Sequence, residues 1–228
     1  MPLPSGVTWF APTLAVHVFD APEPGPTALV QGGIHGDEVA GVHALFEMLE
    51  DELRPTHGRL IVVPVMNPPA YRARERKAPG GLDLNRCFPG DAKAPEREYR
   101  LARRFMDLVL DERPAIVVTL HESQKKYDPA VVPSFGQSIV YGVEPRPAIV
   151  DRTIERLNAR FSAPEERFAP LYYPVATSST EVIVEATGCV GLCFETWMGF
   201  PEPKRVEMQK ALVELVLDDV GVRRVSSR

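Results

Sequence analysis

Hydrophobic and polar positions along this chain follow two periods, and the switches between them outline an alternating order of strands and helices. Residues 14–21 and 27–31 carry short strand-like patterns on either side of Pro22, Pro24 and Pro26, which predicts a hairpin. From Val39 the period lengthens. Val39, Val42, Phe46, Leu49 and Leu53 form the 3.6-residue stripe of an amphipathic helix, predicted over 37–53. Gly58 breaks the pattern, and Leu60-Ile61-Val62-Val63-Pro64-Val65 reads as a central strand. No periodicity follows over 68–94. A helix is predicted over 95–112, with Leu101, Phe105, Leu108 and Val109 on one face. Residues 115–120 are a near-continuous apolar run ending directly at His121. A strand over 137–143 precedes a helix over 148–161, with Ile149, Ile154 and Leu157 facing inward. A short helix over 180–187, a strand over 190–196 and a last helix over 204–220, striped by Met208, Leu212, Leu215 and Val216, complete the order.

Helices interleaved with apolar strands predict an α/β fold: a mixed, mostly parallel central sheet flanked by helices on both faces. His35, His121 and Glu195 all fall toward the C-terminal ends of strands. In a parallel sheet those ends share one rim, the usual place for a ligand site.

Composition narrows the class. With 228 residues and 44% hydrophobic positions, the chain suits a single domain spanning 1–228. Its 23 prolines are spread over connections rather than gathered in a linker. A net charge of −5 gives no pull toward nucleic acid or anionic membranes. The apolar runs fall far short of the ~20 residues that a membrane span needs. The opening Met1-Pro2-Leu3-Pro4-Ser5-Gly6 lacks the basic and apolar parts of a secretory leader, and three cysteines make no disulfide framework. A cytoplasmic location is expected, and self-association as a homo-oligomer stays open.

The candidate chemistry starts at Gly32-Gly33-Ile34-His35-Gly36-Asp37-Glu38, a His-x-x-Glu pair on a strand-to-helix turn. An imidazole and a carboxylate at this spacing can face one metal ion, and His121 offers a distant third ligand. Two imidazoles and one carboxylate favour zinc, with manganese or iron as alternatives. In the irregular 68–94 segment, Arg86 presents a rigid fork of donors suited to a carboxylate, beside Asn85. A stretch this long without regular structure is uncommon outside functional loops. Arg76 lies in the basic cluster Arg72, Arg74, Arg76, Lys77, from which one member can reach an oxyanion. Glu195 follows Gly191-Leu192-Cys193-Phe194 and is either a desolvated general base or a strand-end carboxylate in water. Cys87, Cys189, Cys193, His17 and His43 read as packing residues, His57 as a loop residue, and Glu122 as a partner of the neighbouring imidazole or an exposed side chain.

Five motifs then appear in a fixed order: Gly33-Ile34-His35-Gly36-Asp37-Glu38, Asn67-Pro68-Pro69-Ala70-Tyr71, Asp83-Leu84-Asn85-Arg86-Cys87-Phe88-Pro89-Gly90, Leu120-His121 and Phe194-Glu195-Thr196. Together they resemble the zinc carboxypeptidase superfamily, particularly its succinylglutamate desuccinylase and aspartoacylase branch. The resemblance implies a zinc-carboxypeptidase-like (phosphorylase/hydrolase-like) α/β domain. It also implies one zinc ion per chain on His35, Glu38 and His121, and Glu195 as base and proton shuttle. Asn85 and Arg86 would hold a substrate carboxylate, and Arg76 the oxyanion. Aspartoacylase-type enzymes resemble this chain but are longer and carry a C-terminal β domain. About 30 residues follow Glu195 here, so the expected domain lacks that addition and its site is more open. The superfamily's carboxypeptidases use a late-loop tyrosine; no tyrosine follows Glu195, leaving Tyr172 and Tyr173 as substitutes. The expected activity is deacylation of a small N-acyl amino acid or similar carboxylate. The alternatives are a carboxypeptidase acting on peptides or cell-wall fragments, and a non-catalytic metal-dependent module that binds small carboxylates.

Overall fold

In the computed structural model, residues 3–11 and 14–223 are described, and the apolar runs become one sheet of eight strands. Met1 and Pro2, where the segment read for a leader begins, lie outside the described residues, as does the tail at 224–228. The strands are β1 (Gly6–Ala11), β2 (Leu14–Asp20), β3 (Glu23–Gln31), β4 (His57–Val63), β5 (Ile116–Ser123), β6 (Ser138–Tyr141), β7 (Ala169–Tyr172) and β8 (Val190–Trp197). The helices are α1 (Ala40–Glu50), α2 (Pro68–Ala73), α3 (Arg97–Glu112), α4 (Ala148–Arg160), α5 (Ser179–Thr187) and α6 (Glu202–Asp219). Spatial order is β1-β2-β4-β3-β5-β8-β6-β7. The central strands β4, β3, β5 and β8 run parallel, while β1, β2 and the β6–β7 pair attach antiparallel to their neighbours.

Alternation within the central strands divides the core. Ala28, Val30, Leu60, Val62, Val118 and Phe194 face α1, α4 and α6, whereas Leu29, Ile61, Val63 and Val117 face α3 and α5 on the other side. Strand β5 is buried over seven of its eight residues because it has strands on both edges and helices on both faces.

The sequence expectation of a hairpin between β2 and β3 is overturned, because β4 inserts between them. His17–Asp20 pair with β4 antiparallel and Thr27–Gln31 pair with it parallel. Leu60 to Val63 are four consecutive buried residues, so β4 needs a partner on each edge. The hairpin that exists joins β1 to β2. Strands β1 and β7 were not expected. β7 is four residues long and contains Pro170, a pattern tolerated at a sheet edge. The 68–94 segment is not wholly irregular. Pro68 and Pro69 start α2, where a missing N–H costs nothing, and residues 84–86 form a single 3-10 turn. His57 opens β4 rather than lying in a loop. Among the described residues, no helix is long and apolar enough to cross a membrane.

Candidate active site

The C-terminal ends of β3, β5 and β8 lie side by side at one rim, and they carry the site. After β3 the backbone turns sharply through 32–39 before α1 begins. Gly36 is required there: a Cβ on it would lie 2.0 Å from the carbonyl of Ala70, so α2 closes directly over the turn. This turn buries His35 and Glu38, and β5 buries His121. His35 Nδ1 is 2.6 Å from Glu38 Oε1, and His121 Nδ1 is 2.7 Å from Glu38 Oε2. The two imidazole rings stand 5.0 Å apart between centroids. Ligand atoms of the three residues all lie within 4.8 Å of one another, a group able to hold a metal ion. Two nitrogens and a carboxylate in a buried cluster suit a divalent transition metal, with coordination positions left for other ligands.

Charge at the cluster follows from this packing. Burial lowers the pKa of His35, but the Glu38 carboxylate and a contact with Asp83 outweigh it and raise the group to about 9. Burial opposes ionisation of Glu38, yet His35 and His121 hold its carboxyl well below the usual range. The far nitrogen of His35, Nε2, is 3.4 Å from Asp83 Oδ1. Asp83 in turn accepts from Arg76 at 2.9 and 3.1 Å. An outer carboxylate of this kind fixes ring orientation.

A second set of bonds braces the ligands from behind. Glu122 N donates to Glu38 Oε2 at 3.2 Å, and the Glu122 carboxylate accepts from Ala40 N at the start of α1, at 2.8 Å. Arg205 on α6 pairs with Glu122, whose side chain is 0% exposed. Gln209, also on α6, donates to the His121 carbonyl at 2.8 Å. Burial still raises the Glu122 carboxyl, with Arg205 pulling it the other way.

Glu195 is paired in register with His121 on the adjacent parallel strand, so both side chains project from the same face. The strand continues two residues beyond it, to Trp197, instead of ending there. Its Oε2 is buried without a hydrogen-bond partner. Burial first, and then the Glu38 carboxylate, raise its carboxyl well above the usual range, with His35 and Arg76 acting in the opposite sense. Such a group has a high affinity for a proton.

One cleft of about 240 Å³ gathers His35, Glu38, His121, Glu195, Arg76, Asn85 and Arg86. Arg76 is the member of its basic cluster that faces the ligands, 3.6 Å from Glu38 Oε1, while Arg74 stacks on Tyr71. Asn85 is buried, its Oδ1 accepting from Ser179 N at the start of α5, at 2.9 Å. Arg86 is exposed and donates to the Asn85 carbonyl at 2.9 Å. Tyr173 lines the cleft, edge-on to Phe135; Tyr172 faces solvent. Cys87 is buried, with its thiol pushed up to about 11, chiefly by burial. Cys193 lies 3.9 Å from Glu195 Oε1. His43 bridges Glu202 and Tyr71. Sequence reasoning gave no role to Asp83, Arg205, Gln209 or Glu181. Asp83 stands within a recognised motif, but the others lie on helices whose local pattern shows only an apolar stripe.

Residues 24–132 match the family model of the succinylglutamate desuccinylase/aspartoacylase catalytic domain, a span that holds every cleft residue from His35 to His121 but stops short of Glu195. The N-alpha-acetyl-L-2,4-diaminobutyric acid deacetylase of Halomonas elongata is 42% identical over 123 residues, 53% of this chain and 35% of that protein. Among solved structures, a succinylglutamate desuccinylase/aspartoacylase from Rhodobacter sphaeroides aligns with a TM-score of 0.71 and 29% identity, covering 93% of this chain and 60% of its own. The cell shape determinant protein Csd4 from Helicobacter pylori shares the fold with a TM-score of 0.81 at 21% identity, covering 95% of this chain and 58% of its own. The match thus takes in about a third of the curated relative and less than two thirds of the solved chains. Over residues 24–132 the chain is thus similar to the succinylglutamate desuccinylase/aspartoacylase catalytic domain.

Proposed function

We propose that this protein is a zinc-dependent hydrolase that cleaves the amide bond of a small N-acyl amino acid. The observation that carries the reading is the register of Glu195 beside His121, with a buried, unpartnered oxygen next to the His35, Glu38, His121 cluster. The Halomonas elongata relative, named for an N-acyl amino acid, supports the substrate class. His35 Nδ1, His121 Nδ1 and the Glu38 carboxylate are the groups that would hold one zinc ion. A bound zinc supplies an acidified water and polarises a carbonyl.

This chain's own residues then divide the work. Glu195 accepts a proton from water as the water oxygen bonds to the acyl carbon. It delivers that proton to the nitrogen as the carbon–nitrogen bond breaks, giving a carboxylic acid and a free amine. Arg76 donates to the oxygen on which negative charge develops. Arg86 holds the substrate carboxylate, and Asn85, bonded to α5, fixes the loop that presents it.

The zinc-loaded protein, assayed against a panel of N-acetyl and N-succinyl amino acids beside short peptides, should release free amino acid from the acylated compounds. Cleavage of peptides alone would replace the deacylase with a carboxypeptidase. Metal-dependent binding of carboxylates with no turnover would leave only a binding module.

A further inference from the structure

Two carboxylates of the cleft are paired with charged groups and three are not, and one of the three stands on the wall beside the Asn85-Arg86 loop. Glu38 lies between two imidazoles and Glu122 pairs with Arg205, whereas Glu195, which the proposed chemistry uses, and Asp37, within the turn that carries His35 and Glu38, each keep a buried oxygen without a hydrogen-bond partner. Glu181 also lines the cleft, from the first turn of α5. Its carboxylate makes no ion pair or side-chain hydrogen bond with any described residue, although it is half-buried. Burial alone raises its carboxyl above the usual range.

Its position is held firmly. Ser178 accepts from Glu181 N at 3.3 Å, Thr180 bonds Thr119 at 2.9 Å, and α5 lies so close on β8 that a Cβ at Gly191 would be 2.4 Å from Val184. Space for the carboxylate is provided by Gly142. A Cβ at that position would lie 1.9 and 2.0 Å from the two Glu181 oxygens, so any larger residue would evict the group. Arg86 is close by in the fold, because Asn85 is bonded to Ser179 of the same helix turn, and Arg86 likewise has no carboxylate partner among the described residues. An unpaired cation and an unpaired anion on neighbouring segments of one cleft wall suit a ligand carrying both opposite charges.

We propose that Glu181 is a specificity-determining residue, and that the substrate is an N-acyl amino acid whose side chain ends in an ammonium group. This rests on the deacylase reading above. In such a substrate Arg86 takes the carboxylate and the α-nitrogen is acylated, so it carries no charge. The ammonium that meets Glu181 must therefore belong to the side chain.

The test compares Nα-acetyl-L-ornithine and Nα-acetyl-L-2,4-diaminobutyrate with the neutral Nα-acetyl-L-norvaline and the acidic Nα-acetyl-L-glutamate. The zinc-loaded wild type should prefer the cationic pair over norvaline by roughly 10- to 100-fold in kcat/KM, the worth of one charge-assisted contact. Glu181→Gln should bring that ratio close to one, and Glu181→Lys should turn the preference toward the acidic compound. Calorimetry with free ornithine and norvaline provides a readout without turnover, and ornithine should bind the wild type, but not Glu181→Gln, more tightly than norvaline. Equal wild-type efficiency on all four compounds, or a ratio unchanged in Glu181→Gln, overturns the inference while the deacylase reading survives. Glu181-dependent ornithine binding without hydrolysis of any compound would keep Glu181 as the residue that recognises the ammonium and strike the deacylase reading, and with it the N-acyl substrate.

Discussion

The two walls of the cleft are built by opposite rules. On the ligand wall, the charged groups other than Glu195 and Asp37 are bonded to one another or to backbone: His35 and His121 to Glu38, Glu122 to Arg205 and Ala40, Asp83 to Arg76. On the facing wall, Arg86 and Glu181 carry charge without a charged partner among the described residues. The first arrangement is costly to assemble and holds its geometry without help. The second leaves its charges to be matched by something that arrives. We read the difference as a division between chemistry that is preorganised and recognition that is completed by the substrate.

Breaking the ligand wall should have the largest effects. His121→Ala removes one of three ligand side chains, and metal content measured by atomic absorption should fall from about one per chain to near zero. Arg205→Ala leaves the Glu122 carboxylate buried without its cation. Denaturant unfolding should show a loss of roughly 3–5 kcal/mol. Asp83→Asn keeps the fold but weakens the partner of the His35 ring, so metal affinity by competition with a chelator should drop about 10- to 100-fold. On the facing wall, Arg86→Ala should raise KM by roughly 10- to 100-fold and leave metal content intact, which separates recognition from metal retention.

A smaller, graded effect is expected from pH in the chelated protein. His35 has its folded pKa raised from 6.5 to about 9, so it binds a proton more tightly when folded than when unfolded. Its contribution to stability is therefore complete below about 6.5 and is lost as pH rises through about 9. Over the same interval metal binding should tighten, because the ring must shed that proton. Calorimetry in buffers of different ionisation enthalpy would count the proton released.

What could be read from the sequence follows from how locally each feature is encoded. The His35 to Glu38 turn is legible because both ligands fall within four residues of one glycine-rich break, and His121 because it ends an apolar run. Helix faces such as Phe105 and Val109 on α3 are legible from period alone. The strand order is not, since whether β4 lies beside or between β2 and β3 depends on pairings that a local pattern does not carry. The braces Arg205 and Gln209 were invisible for the same reason. They contact Glu122 and His121 from more than 80 residues away. Glu181 differs from any other helix-start carboxylate only by what surrounds it after folding.

Whether Glu195 works a metal held by His35, Glu38 and His121 is tested most directly by the Glu195→Gln variant. Zinc content and hydrolysis of an N-acetyl amino acid are measured side by side in the variant and the wild type. Both proteins should carry one zinc per chain, and kcat should fall by at least about 100-fold in the variant. Wild-type turnover by a zinc-loaded Glu195→Gln protein would contradict it.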